Sequence, residues 1–493
     1  MFKKKYVIFT VFTLFYILLN ANGLEFTIIH TNDHHGNPFN YTVREMEIAG
    51  LAERAFIINE LTSKTDNFLI LDAGDINTGK PESMFFDARP DIVAYNMIGY
   101  DAMTIGNHEF YKGFERLEKQ KQWANFPFLS ANILYDETHS VGIPYIIKTL
   151  DNGLKIAIIG LTTTTIKRSI PHLAKDLIIR DEVEVAKEFI PVLKEKADII
   201  IALTHLGIHP EMDYSYGSLR LANEVPEIDL IIDGHSHTEL EKPIIVNNTP
   251  IIQAGDRGKF LGHGLFALEN DKLIVKKWEA IPLMRRRDEP HFKVVQSIAD
   301  TLLVYKERVF GKFNEVIGFS ERLYSVTNIR SQLTPLGNLV CDALLDATKN
   351  MNTELAMSNG GGIRADIPKG NIRYFNVFDM LPFDNEVTVV ELYGKDIIEI
   401  IHFSMNKMKN TGGFLQYSSN VRLEEVDNQT WDIFINNQRL AEGKIYRLAV
   451  NSYIAGGGDH YTHFQKALSM DNVGYTDKEA MRNYIMTSDK FRK

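Results

Sequence analysis

At 493 residues the chain is long enough for about two to four domains. Its formal net charge of −10 argues against a nucleic-acid polymer as partner, which would need a basic face, and a single cysteine, Cys341, rules out an internal disulfide. Hydrophobic residues at 44% and charged residues at 24% are the composition of a globular chain that buries sizeable cores.

Lys3-Lys4-Lys5 precedes an apolar run from Tyr6 to Leu19 and then Asn20-Ala21-Asn22-Gly23. That is the layout of a cleaved export signal over residues 1–23. The run is short for a bilayer span. The mature chain is therefore expected to begin near Leu24, in the periplasm, at the cell surface or secreted, with no stable membrane span.

Leu24–Thr31 reads as a strand that ends in Asn32-Asp33-His34-His35-Gly36, and a helical pattern follows over Val43–Leu61. Phe68–Leu71 is a second strand, ending in Asp72-Ala73-Gly74-Asp75. A helix near Asp91–Ile98 comes next, and then the short apolar run Ala102–Ile105 enters Gly106-Asn107-His108-Glu109. Phe126–Asn132 and Lys155–Leu161 are further strands. Ile199–Leu203 leads into Thr204-His205-Leu206-Gly207, and Leu230–Ile232 into Asp233-Gly234-His235-Ser236-His237. Strands alternating with helices predict an α/β layered domain whose chemistry sits on the loops at the strand ends.

After the charge run Arg285–Asp288, Glu289–Phe310 reads as one helix, taken as a linker over residues 289–312. It separates a first domain, 24–288, from a second α/β domain, 313–493. The second opens on Thr334-Pro335-Leu336-Gly337-Asn338, with Thr at the N-cap and Pro at the first helical position. Cys341 lies in the apolar helical pattern Leu339–Leu345, where packing is its expected role.

Asp33 and His35 alternate along an extended segment, so they share a face and can chelate one ion. His235 and His237 repeat that spacing. The carboxylate of Asp75 has two oxygens and can bridge two cations, and the Asn107 amide oxygen can join a metal that others hold. Alone, each of these four segments, or His205 in a fifth, is as readily a polar turn or a structural histidine; the five together, each closing an apolar run, point to one metal centre. Mixed nitrogen and oxygen donors without thiolate suit Zn, Mn, Co or Fe better than Mg or Ca. Two such ions would clamp the attacking and leaving oxygens of a displacement at phosphorus.

Together the segments around Asp33, Asp75, Asn107, His205 and His235 resemble, in order and over essentially the whole mature chain, the motifs of the bacterial periplasmic and animal ecto-5′-nucleotidases. That family includes the periplasmic UDP-sugar hydrolases. The resemblance implies a calcineurin-like metallophosphoesterase domain, a linker helix and a C-terminal nucleotide-binding domain. It implies two divalent metal ions, one held by Asp33, His35, Asp75 and His237, the other by Asp75, Asn107, His205 and His235. His108 would face the phosphate and stabilise the transition state. The nucleotide substrate would be bound by Asn359 and Arg364 of Asn-Gly-Gly-Gly-Ile-Arg, and its base clamped between Phe383 and Tyr453. Asn385 would read the base, and Asp459 would accept from the ribose hydroxyls. The implied reaction is hydrolysis of 5′-nucleotides to nucleoside and phosphate, with nucleoside di- and triphosphates and nucleotide sugars as further candidates.

The sequence departs from the family pattern at three points. Tyr111 stands where an Asp usually pairs with the histidine, and Glu109 is the nearest substitute carboxylate. Leu333 and Pro335 replace an acidic residue and an Asn, and either Arg322 or Arg330 could be the substrate arginine that often precedes them. Tyr111 also leaves open a nucleotide-binding protein with weak turnover, and the shared motifs leave open a 2′,3′-cyclic-nucleotide phosphodiesterase.

Overall fold

The computed structural model describes residues 24–43, 46–77, 79–110, 113–166, 176–209, 215–284, 295–383, 385–427 and 430–492. The expected export signal, Tyr111 and the start of the expected linker lie outside these residues. Two compact units divide between Lys306 and Glu307, within the helix Gln296–Phe313. No helix among the described residues is long and apolar enough to cross a membrane.

The first unit is built on two six-stranded sheets. One runs, edge to edge, Lys272–Pro282, Phe260–Glu269, Leu24–Thr31, Phe68–Asp72, Ala102–Thr104 and Phe128–Leu129. The other runs Ile244–Val246, Thr249–Ile252, Leu230–Ile232, Ile199–His205, Lys155–Thr162 and Tyr145–Thr149. Alternate side chains of the two sheets bury each other: Phe26, Ile28, Leu69 and Leu71 from the first meet Ile156, Ile158, Ile201, Leu203 and Ile232 from the second. The opposite face of the second sheet, through Ala157, Ile159, Ile200 and Ala202, takes Val183, Ala186 and Ile190 of helix Glu182–Lys194 and Leu219 and Ala222 of helix Gly217–Glu224. Both faces of its central strands are therefore dry, which explains their unbroken apolar runs. Asp181 starts the first of these helices, its carboxylate accepting from the amides of Val183 at 3.0 Å and Glu184 at 3.2 Å.

Two expected elements differ. The single helix expected over Val43–Leu61 is a short hairpin, Tyr41–Val43 against Met46–Ile48, followed by helix Leu51–Thr62. Gly50 makes the break. Its backbone is extended, and a Cβ there would lie 2.7 Å from the Pro38 carbonyl oxygen, so the residue that fitted a helical period is the entry to the helix. The strand expected over Phe126–Asn132 pairs only at Phe128–Leu129.

The second unit carries a five-stranded sheet in the order Leu415–Tyr417, Leu355–Asn359, Ile445–Asn451, Glu386–Tyr393 and Ser469–Thr476. Helix Pro335–Ala347 covers one face, with Cys341 and Leu344 buried against Ala356, Val387, Val389 and Ala449. Helix Gly394–Lys407 covers the other, with Ile397, Ile400 and Ile401 against Leu355, Val390, Leu392 and Leu448. Thr334 caps the first helix as expected, its hydroxyl accepting from the Gly337 amide at 3.0 Å.

Candidate active site

In the first unit, the strands Leu24–Thr31, Phe68–Asp72 and Ala102–Thr104 pair in parallel, as do Ile199–His205 and Leu230–Ile232 in the facing sheet. Their C-terminal ends deliver Asp33 and His35, Asp75, Asn107 and His108, His205, and His235 and His237. Asp33, His35, Asp75, His235 and His237 all hold left-handed backbone, with φ of 50°, 45°, 59°, 79° and 54°. Non-glycine residues rarely sit there, and each costs on the order of 1–3 kcal/mol, so the loops must be held from outside. They hold one another. The Asp33 amide donates to the Gly74 carbonyl and the His35 amide to the Asp75 carbonyl, both at 2.9 Å. The amides of His235 and His108 donate to the carboxylates of Asp33 and Asp75, at 3.0 and 2.9 Å.

Among the described residues, three sets of donor atoms, each within 4.8 Å, result: Asp33, His35 and His237; His35, Asp75 and His108; and Asp75, His205 and His235. Asp75 belongs to two of them. Its Oδ2 lies 3.0 Å from His205 Nε2, 3.9 Å from His108 Nε2 and 4.0 Å from His35 Nε2. Asp33 Oδ1 lies 3.2 Å from His237 Nε2. Asn107 is buried in the loop that carries His108. The cluster fits divalent metal. Asp33 and Asp75 are buried, and burial alone would raise their carboxyls. They are nevertheless held low, Asp33 by the hydrogen bond from His237 and the charge of His205, Asp75 by the charges of His205 and His108. Burial pulls His205 down, but Asp75 and Asp33 push it up to about 10. His237 is raised in the same way, against burial, by Asp33. His108 and His235, where burial dominates, fall to about 3. Two buried anions thus draw positive charge onto neighbouring imidazoles at a place where cations would replace those protons.

In the second unit all six expected nucleotide residues line one cleft of about 390 Å³: Asn359, Arg364, Phe383, Asn385, Tyr453 and Asp459. Arg330 lines it too, whereas the Arg322 guanidinium lies 4.5 Å over the Tyr324 ring. Phe383 and Tyr453 are each 47% exposed, large rings left open at a cleft rather than buried in a core. Asp459, again left-handed at φ 51°, accepts from Asn359 Nδ2 at 3.0 Å and from the Tyr453 hydroxyl at 3.1 Å. Asn359 is itself aligned by Asn451, whose amide donates to it at 2.9 Å.

The calcineurin-like phosphoesterase family matches residues 26–239, and the 5′-nucleotidase C-terminal domain matches residues 316–466. A 5′-nucleotidase of Vibrio vulnificus is 32% identical over 505 residues, which cover 94% of this chain and 90% of that protein. The chain belongs to the 5′-nucleotidase family. Protein UshA of Escherichia coli is likewise 32% identical, over 94% of this chain and 91% of its own length. Among solved structures, a 5′-nucleotidase precursor from Thermus thermophilus superposes with a TM-score of 0.59 at 27% identity, covering 94% of this chain and 96% of that one. An NAD nucleotidase of Haemophilus influenzae shares the fold with a TM-score of 0.76 at 22% identity, covering 94% of this chain and 96% of that one. The protein is a nucleotide phosphohydrolase of the divalent-metal phosphoesterase kind.

Around the Asp–His cluster of this nucleotidase lie Glu109, noted above as the nearest substitute carboxylate, and two residues that the motifs did not single out. Glu109, fully buried, does not stand as a spare partner for His108: one oxygen accepts from the amides of Asp75 at 2.9 Å and Gly106 at 2.8 Å, the other from Asn77 at 3.1 Å. It ties the Asp75 loop to the Asn107–His108 loop. Burial, and then the charge of Asp75, push its carboxyl up to about 8. Glu109→Gln keeps the shape but turns an NH2 group toward a backbone N–H. Metal affinity and kcat are each expected to fall on the order of 10- to 100-fold, measured by metal titration and phosphate release. Asp256 lies 3.5 Å from His237 Nδ1, and a signal for it existed, because Ala254-Gly255-Asp256 repeats the Ala-Gly-Asp sequence of residues 73–75. His34, between Asp33 and His35 in the chain, faces Asp91 at 2.8 Å through Nε2 and the buried Arg54 at 3.3 Å through Nδ1.

Proposed function

We propose that this nucleotidase uses two divalent ions to hydrolyse 5′-nucleotides to nucleoside and phosphate outside the cytoplasm. Asp33, His35, Asp75 and His237 would hold one ion, and Asp75, Asn107, His205 and His235 the other. When bound, the ions supply positive charge to the phosphate and make water acidic enough to attack at neutral pH. His108 donates a hydrogen bond to a phosphate oxygen as charge builds on it. The second unit supplies the selection. Phe383 and Tyr453 stack the base, Asn385 reads its edge, Asp459 accepts from the ribose hydroxyls, and Asn359, Arg364 and Arg330 hold the polar remainder of the nucleotide. The division into a leader, a metallophosphoesterase domain over 24–288, a linker helix and a substrate domain over 313–493 belongs to the same reading. The observation that carries it is the cleft, where two half-exposed rings, an aligned Asp–Asn pair and two arginines meet.

Phosphate release from AMP, UMP and UDP-glucose, with EDTA and with Mn or Zn restored, tests it. Turnover of AMP that stops in EDTA and returns with metal is expected. Binding of AMP without hydrolysis under any metal would overturn it.

Proton release gives a second check. His205, raised to about 10, carries a proton at pH 7 in metal-free protein, and a metal must displace it. Metal affinity should therefore fall as pH falls, with protons released on binding, measured by calorimetry in buffers of different ionisation enthalpy. In metal-free protein the same proton stabilises the fold fully below about pH 6.5, and this contribution is lost as pH rises towards 10.

A further inference from the structure

We propose that Gln416 is the positioning residue that aims Arg330 into the nucleotide cleft, an inference that rests on the nucleotidase reading of that cleft. Arg330 lines the cleft but belongs to neither a strand nor a helix. Its stretch is a run of turns, with the Ile329 amide on the Val326 carbonyl at 3.1 Å and the amides of Ser331 and Gln332 on the Asn328 carbonyl at 2.9 Å. Asn328 is left-handed, at φ 66°. Such a loop has no ladder to fix where its arginine points.

Gln416 supplies the fixing from the middle of strand Leu415–Tyr417, where it is fully buried. Its Nε2 donates to the carbonyls of Ile329 and Gln332, both at 2.8 Å. Its Oε1 accepts from the Thr334 amide at 2.9 Å. Both amide hydrogens and the amide oxygen are thus used, and they close on the residue before Arg330, on one two after it, and on the cap of the following helix. The carbonyl of Arg330 itself accepts from the Asn410 amide at 2.7 Å. Two glycines make the approach possible. A Cβ at Gly337 would lie 2.0 Å from Gln416 Oε1, and a Cβ at Gly360 would lie 2.3 Å from the Ile329 oxygen. A glutamate would keep the acceptor and lose both donors. A methionine would lose all three bonds and leave the buried backbone groups unpaired.

A purely structural glutamine would make the same bonds, so the test must ask whether Gln416 acts through Arg330. The experiment is a double-mutant cycle of Gln416→Met and Arg330→Ala, reading KM and kcat for AMP and the Kd of AMP by calorimetry in EDTA. Gln416→Met alone is expected to raise KM and Kd about tenfold with kcat little changed. In the Arg330→Ala background the same substitution should change neither much. Equal effects in both backgrounds, or an unchanged KM in the single variant, would overturn the proposal. If Gln416→Met fails to fold, as judged by thermal melting, Gln416→Glu takes its place in the cycle with the same expected direction and the same criterion. A wild-type protein that neither binds nor hydrolyses AMP would instead bring down the nucleotidase reading, and this inference with it.

Discussion

Asp75→Asn is expected to leave a folded protein whose kcat has dropped by on the order of a thousandfold or more, about 4 kcal/mol of lost transition-state stabilisation. The substitution is nearly isosteric. An Asn oxygen can still accept from the His108 amide, which bonds Asp75 Oδ1 at 2.9 Å, so the loop keeps its tie. What goes is the charge. Among the described residues Asp75 is the one carboxylate shared by two of the three donor sets, and a neutral amide bridges two cations poorly. The loss should be visible without turnover. Wild-type protein should gain melting temperature with Mn or Zn, since ions that bind only the folded form stabilise it, and Asp75→Asn should gain much less. His205 gives a third sign: Asp75 heads the interactions that raise it, so Asp75→Asn should lower its pKa, read by NMR titration of the imidazole. A variant that kept both metals and near-normal rate would mean that Asp75 does not bridge. By contrast His237→Ala should weaken one metal site only, since His237 appears in one donor set.

The same geometry explains which parts of the site were legible in the sequence. The expected metal-binding residues stand where apolar runs stop, all but His205 beside a glycine or on left-handed backbone, because a strand must turn sharply to present a side chain at its own end. That stop is a local signal, and it marks Asp33, Asp75, Asn107, His205 and His235 without any knowledge of pairing. The helical period over Val43–Leu61 was local too, but pairing across the Tyr41–Val43 hairpin and the crowding at Gly50 overrode it. What stayed hidden depends on distant contacts. Gln416 meets Thr334 across 82 positions, and Glu109 meets the Asp75 amide across 34. The choice between Arg322 and Arg330 was of this kind as well. Both lie in the same irregular stretch, and only the folded second unit places one of them in the cleft and the other on Tyr324.

Phe383→Ala and Tyr453→Ala should each raise KM for AMP about 10- to 100-fold and leave kcat nearly unchanged. Stacking on a base is worth roughly 1–3 kcal/mol per ring removed, by analogy with single-strand recognition. The base is remote from the reacting phosphorus, so the contact is the same in ground and transition states, and such uniform binding acts on KM alone. Both rings are 47% exposed, so neither substitution empties a core, and melting temperature should move little. The two variants should still differ. The Tyr453 hydroxyl donates to Asp459 at 3.1 Å, while the Arg364 guanidinium lies 5.9 Å from the Phe383 ring centre. Tyr453→Phe then separates stacking from alignment: it keeps the ring and releases Asp459, so it should cost less than Tyr453→Ala and weigh more on ribose nucleotides than on 2′-deoxy ones. A small aryl phosphate, which has no base to clamp, should be hydrolysed by all three variants at close to the wild-type rate. Equal losses on AMP and on the aryl phosphate would mean that the rings support the second unit's structure and that the base is held elsewhere.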